Sequence, residues 1–258
     1  MLNILEFDKK VIIGMIHLSP MEGLDGFIGK EKTIERALND LYSLQENGID
    51  AVIVENEHDH PHTIFILEKQ KSCMLDVTKA VTKKANVPVG VCVLRNDWKA
   101  ALEIAKKSDA EFIRMDVFVD KVLMENEIVE VNPIEVMNYK RTIKGEKIKI
   151  FTDIHVKHSI MLENKTLFES AQEAIKSGSD AIIISGKATG KEININKLKD
   201  LRERINNFPI LIGSGFSESC VHYLKYCSGA IVGTSLKENN KISVEKVKSL
   251  IDKVKMLK

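Results

Sequence analysis

Eight short apolar runs, each followed by an amphipathic stretch, constrain what this chain can fold into more than any other feature. The runs cover residues 11–16, 51–54, 87–94, 111–115, 148–151, 181–184, 209–212 and 230–232. Most are rich in Val and Ile and too short for helices, as strands buried on both faces of a parallel sheet are. Helix-length segments lie between them, at residues 30–47, 63–84, 98–107, 133–144, 166–177, 196–206, 218–226 and 244–255. In the first of these Ile34, Leu38, Leu41 and Leu44 recur at helical spacing, and Gly48 stands where a helix ends; Gly178 does the same later.

Strict alternation of strand and helix with right-handed crossovers gives a (β/α)8 TIM barrel, with an open doubly wound sheet as the alternative. The repeat of roughly 30 residues is that of a βαβ unit. It is even and has no linker, so residues 1–258 are expected to form a single barrel domain. The longest non-helical connection, residues 116–132, follows the fourth strand and reads as a lid or a partner-binding loop.

Charge and cysteine usage narrow the function classes. Lys and Arg total 38 against 37 Asp and Glu, a net charge of +1. That balance gives no reason to expect nucleic acid or an anionic membrane as partner. The Lys-rich segment 246–258 reads as a solvated helix face. No run approaches the ~18 apolar residues of a membrane span. The first ten residues lack the basic-then-apolar pattern of a signal peptide. Cys73, Cys92, Cys220 and Cys227 form no CxxC pair, and a reducing cytoplasm fits them. Homo-oligomerisation is left open.

In a barrel of this kind the C-terminal strand ends carry the chemistry. Here they carry His17, then Glu55-Asn56, Arg95-Asn96-Asp97, Arg114 with Asp116, and Asp153 with His155. If the fifth strand continues, period two puts Asp153 and His155 on one side, an acid beside an imidazole. Arg114 and Asp116 flank Met115 and are placed to pair. The expected catalytic set is therefore Asp153, His155, Glu55, Arg114, Asp116, Asn96 and His17.

The last three strands end differently, at Ser185-Gly186, Gly213-Ser214-Gly215 and Gly233-Thr234-Ser235. Glycines admit an anion to the backbone, and hydroxyls and N–H groups donate to it. Ser185, Gly186, Gly213, Ser214, Gly215, Gly233 and Thr234 are thus expected to bind phosphate, the more so because loops seven and eight are the usual phosphate position. His58, His60 and His62 alternate in a Pro-bearing loop but match no zinc spacing. Lys157 and Lys187 are the available Schiff-base lysines, and neither lies clearly in an apolar strand that would depress its pKa.

At these residues the chain resembles a known family. Val11-Ile12-Ile13-Gly14-Met15-Ile16-His17-Leu18-Ser19-Pro20, Val54-Glu55-Asn56 and Pro88-Val89-Gly90-Val91-Cys92-Val93-Leu94-Arg95-Asn96-Asp97 are similar to segments of the BtpA/SgcQ family. So are Asp153-Ile154-His155-Val156-Lys157-His158, Ser185-Gly186-Lys187-Ala188-Thr189-Gly190, Gly213-Ser214-Gly215 and Val232-Gly233-Thr234-Ser235-Leu236-Lys237. The resemblance implies a TIM barrel similar to ribulose-phosphate-binding barrels. It leaves the reaction open: cyanobacterial members are linked to photosystem I accumulation at the thylakoid, and some others are found with sugar uptake and metabolism. This chain departs from the family at Ser19-Pro20-Met21-Glu22-Gly23, at Glu57-His58-Asp59, and at Asp116, where the family favours Asn.

The expected function is acid–base chemistry, by isomerisation, epimerisation or aldol cleavage, on a small phosphorylated metabolite such as a sugar phosphate. The alternative is a catalytically idle barrel that serves as an assembly or stability factor. Glu55, Asp116, Asp153 and His155 could also converge on Mg²⁺ or Mn²⁺. Arg114 offers a fixed positive charge to the same carboxylates, so an arginine-paired site with no metal and no cofactor is the expectation.

Overall fold

The computed structural model describes residues 9–124, 126–186 and 193–257. Eight parallel strands close into a barrel: β1 (Val11–His17), β2 (Ala51–Glu55), β3 (Val89–Cys92), β4 (Phe112–Met115), β5 (Lys149–Asp153), β6 (Ala181–Ile184), β7 (Ile210–Ile212) and β8 (Gly229–Val232). Each pairs with its sequence neighbours, and β8 closes on β1 with Val11 opposite Gly229 and Ile13 opposite Ile231. This is the (β/α)8 architecture, and the open sheet is excluded.

Helices α1 (Lys30–Gln45), α2 (Glu68–Lys84), α3 (Trp98–Ser108), α4 (Pro133–Thr142), α5 (Leu167–Lys176), α6 (Ile195–Arg204) and α7 (Val244–Lys255) connect the strands. The segment Glu218–Tyr226, expected as an α-helix, is a 3₁₀ helix instead. The α2 helix begins later than its amphipathic pattern suggested: residues 63–67 are not helical, and Leu67 is the N-cap, its amide donating to Gln70 Oε1 at 2.8 Å.

Period two divides each strand between two cores. Outward residues such as Ile12, Val52, Val91, Ile113, Ile150, Ile182 and Ile210 pack under the helices in the main hydrophobic layer. Inward residues Val11, Ile13, Met15, Ile53, Phe112, Phe151, Ile183, Leu211 and Ile231 fill the barrel. Phe112 and Phe151 stack at 4.7 Å between centroids. Gly90 makes room for them, since a Cβ there would lie 2.3 Å from the Phe112 ring.

The connection after β4 is not structureless. Val122–Met124 and Glu127–Val129 form a hairpin, and Ile160–Met161 adds a third antiparallel strand. Val122, Met124 and Val129 turn inward onto Val117 and Val156, a satellite core at the barrel mouth.

Candidate active site

The alternation that buries Val, Ile and Phe in the lower barrel puts ionisable groups on its last inward rung. His17 follows Ile13 and Met15 on β1, Glu55 follows Ala51 and Ile53 on β2, Arg114 follows Phe112 on β4, and Asp153 follows Phe151 on β5. Register aligns them around the mouth: His17 stands opposite Glu55, Glu55 opposite Cys92, and Cys92 opposite Arg114.

Arg114 is the hub. Its Nε donates to Asp153 Oδ2 at 2.8 Å and its Nη2 to Asp153 Oδ1 at 3.0 Å, a bidentate fork with almost no exposure. Glu55 Oε1 lies 3.9 Å from Nη1 and Asp116 Oδ1 lies 4.0 Å from Nε. The expected Arg114–Asp116 pairing is present at 4.0 Å, but it is secondary to Asp153, which takes the guanidinium's best donors. Burial works against the charge of Arg114, but Asp153 and Asp116 hold its pKa well above the ordinary value.

Three buried carboxylates share this one guanidinium, and like charges so close cannot all ionise cheaply. Asp116 bears the consequence. Burial raises its pKa to about 7; Arg114 opposes the shift, while Asp153 and Glu55 add to it. A carboxyl that titrates near neutrality can take or give a proton at physiological pH.

His17 lies across the mouth. Lys237 Nζ sits 2.8 Å from its Nδ1, and its Nε2 is 3.4 Å from Glu55 Oε2. Burial, followed by the Lys237 charge, lowers its pKa to about 3, so the ring is neutral.

These groups open onto a cavity of about 350 Å³, large enough for a small metabolite. Its lining includes His17, Glu55, Glu57, Arg95, Arg114 and Asp116. The lining also includes Gly213, Ser214, Gly215, Gly233 and Thr234, with Ser217, Ser219 and Ser235. Gly215 has φ +84, a conformation that glycine adopts without strain. Gly213 has no room for a side chain, since a Cβ would lie 2.6 Å from Ser185 Oγ. Of the residues expected from the sequence, His17, Glu55, Arg114 and Asp116 thus share one space with Gly213, Ser214, Gly215, Gly233 and Thr234.

Three expectations fail locally. Asp153 and His155 do not form a dyad: β5 ends at Asp153, and His155 adopts φ 48, which breaks the period-two alternation. The His155 amide donates to Asp120 Oδ2 at 2.8 Å, and the residue is not part of the cavity lining. Burial lowers its pKa, with Asp120 opposing. Asn96 spends both ends of its carboxamide on Val117, donating to the carbonyl at 2.9 Å and accepting from the amide at 3.0 Å. It clamps the loop after β4 rather than facing a substrate. Ser185 turns its hydroxyl to Asp153 Oδ1 at 3.4 Å, and neither it nor Gly186 lines the cavity. Glu55, Asp116 and Asp153 do converge on Arg114, without His155. Among the described residues no group of three or more His, Cys, Asp or Glu is arranged to hold a metal ion, the His58–His60–His62 loop included.

Lys187 lies outside the described residues; Lys157 lines the cavity. Sequence reasoning passed over Arg95, Glu57 and Lys237 as site residues. Arg95 and Glu57 stand next to residues it did weigh. Lys237 arrives from a short hairpin, Lys237–Glu238 with Lys241–Ile242, which strand-end logic does not reach.

A family model described as BtpA family matches residues 8–256. The chain belongs to the BtpA family. An uncharacterized protein of Thermococcus kodakarensis is 36% identical, over 98% of this chain and 98% of that one. The Photosystem I biogenesis protein BtpA of Synechocystis is 32% identical, over 90% of this chain and 82% of that protein. Among solved structures, this BtpA-family barrel is similar to N-(5'-phosphoribosyl)anthranilate isomerase from Pyrococcus furiosus, with a TM-score of 0.61 and 11% identity over 96% of this chain and 100% of that one. It is equally similar to KGPDC from Streptococcus mutans, with a TM-score of 0.62 and 12% identity over 96% and 99%. At such identities the likeness speaks to fold alone. No helix among the described residues of this BtpA-family chain is long and apolar enough to cross a membrane.

Proposed function

We propose that this barrel is an enzyme that performs acid–base chemistry, of the isomerase, epimerase or aldolase kind, on a small phosphorylated metabolite such as a sugar phosphate. One observation carries the reading. Asp116, with its pKa raised to about 7, faces the same cavity as the glycine- and hydroxyl-rich loops after β7 and β8. Ser214, Gly215, Gly233 and Thr234 would hold the phosphate through backbone N–H groups and hydroxyls. Asp116 would move the proton, and Arg114 with Asp153 would keep its charge environment fixed.

Calorimetric titration with inorganic phosphate tests the anion site. Wild-type protein is expected to bind, and Ser214→Asp and Thr234→Asp each to weaken binding about tenfold or more by placing a carboxylate against the anion. No binding by the wild type, or equal binding by all three proteins, would remove this reading.

A second reading has its own support. Leu123 stands opposite both Ile128 and Ile160 on the outer face of the three-stranded sheet, and those two isoleucines are each 63% exposed. An apolar face on this loop suits an assembly factor, the role that the name of the Synechocystis relative gives to that protein. The double substitution Ile128→Lys, Ile160→Lys would then abolish the cellular phenotype, while Asp116→Asn would leave it intact. The enzyme reading expects the reverse.

A further inference from the structure

We infer that Lys237 locks His17 in the neutral tautomer with its proton on Nε2, so that His17 serves the barrel mouth as a hydrogen-bond donor to a substrate carbonyl oxygen rather than as a base. The substrate class follows as a phosphorylated aldehyde or ketone. The substrate half of this inference rests on the acid–base function proposed above; the tautomer half does not.

The geometry carries it. An ammonium group has donors only. With Lys237 Nζ 2.8 Å from His17 Nδ1, that nitrogen must accept, and the neutral ring then carries its hydrogen on Nε2. Nε2 points toward Glu55 Oε2 at 3.4 Å, from a ring on the cavity wall. Lys237 is held in place from several sides. Its carbonyl accepts from Lys246 Nζ at 2.7 Å, and its strand pairs with Ile242 and Lys241. Burial pulls the Lys237 ammonium below its usual range, against the charges of Asp40 on α1, Glu55 and Glu57. Gly233 completes the fit, because a Cβ there would lie 3.0 Å from His17 Cε1 and 3.2 Å from Nε2.

The groups facing His17 agree. Lys237, His58 and Lys157 disfavour a second proton on the ring; Glu57 favours one, and burial outweighs it. A cationic imidazole would stand against the Lys237 ammonium. The neutral ring is a donor that strengthens its hydrogen bond as negative charge develops on the oxygen it holds.

The step balances without a co-reactant. The Asp116 carboxylate takes a proton from the carbon next to the carbonyl. The C–H electron pair becomes a C=C bond, and the carbonyl π pair moves to the oxygen held by His17 Nε2–H. Return of the proton to the former carbonyl carbon, with the neighbouring hydroxyl proton passing to the oxygen at His17, gives the isomer. Nothing is oxidised overall.

Long-range ¹⁵N–¹H NMR of histidine-labelled protein tests the tautomer without any substrate. The His17 signals are assigned by their loss in His17→Asn. In the wild type His17 is expected as the Nε2–H tautomer, unprotonated from about pH 8 to about pH 5. Lys237→Met is expected to mix the tautomers and to raise the protonation midpoint by at least about one pH unit. Lys237→Arg, which keeps a donor, is expected to restore the wild-type pattern. An Nδ1–H tautomer or an imidazolium at neutral pH in the wild type would overturn the inference. So would a folded Lys237→Met protein with an unchanged His17 spectrum. Failure of phosphate binding would leave these spectra unaffected, so the two proposals fail separately.

Discussion

Arg114 grips Asp153 by both carboxylate oxygens, at 2.8 and 3.0 Å, on the last inward rung of the barrel. Two adjacent strands are thereby joined through a buried ion pair at the point where the apolar interior gives way to the mouth. Glu55 and Asp116 complete a cluster with more negative than positive groups, so the guanidinium is the group whose loss matters most.

Arg114→Met should destabilise the protein by about 3–5 kcal/mol at neutral pH, because it strands buried carboxylates without their cation. Urea denaturation measures this. The loss should shrink as pH falls and the carboxyls protonate. Replacing the pair together, Arg114→Met with Asp153→Leu, should cost less than the single change.

Asp116 should make stability fall as pH rises. Its folded pKa of about 7 lies above the ordinary 3.8, so between those values the folded protein holds a proton that the unfolded chain has released. Stability is then lost as pH climbs through that window, at a slope on the order of 1 kcal/mol per pH unit. Asp116→Asn should remove this contribution and be more stable than the wild type at pH about 8. Denaturation midpoints of the two proteins across this range check the sign.

Gly90→Ala should destabilise by about 1–3 kcal/mol through overpacking, since the new methyl would meet the Phe112 ring, itself stacked on Phe151. Adding Phe112→Leu should recover part of the loss. Thermal melts of the three proteins decide it.

Where the sequence predicted well, the physics was local. Val/Ile runs at even spacing announced the eight strands and put His17, Glu55 and Arg114 at their C-terminal ends; the observed strand bounds and period two turn all three inward. The same rule misplaced His155 because the strand stops two residues earlier, at Asp153, and φ 48 turns the chain away. A residue type could not reveal that Asn96 spends its carboxamide on Val117. Lys237 was out of reach for a different cause: it meets His17 across a sequence separation of 220 residues, through a hairpin rather than a strand end. The outward apolar face of Leu123, Ile128 and Ile160 arises from pairing with Ile160, which lies beyond the next barrel strand.

Proton transfer at Asp116 is the central claim, and solvent exchange reads it most directly. The protein would be incubated in D₂O with an extract of phosphorylated metabolites, beside Asp116→Asn, and both mixtures would be compared by mass spectrometry. The expected result is at least one phosphorylated carbonyl compound, or its isomer, that gains a carbon-bound deuterium with the wild type and not with Asp116→Asn. No deuterium gain with the wild type, or equal gain with both proteins, would contradict it.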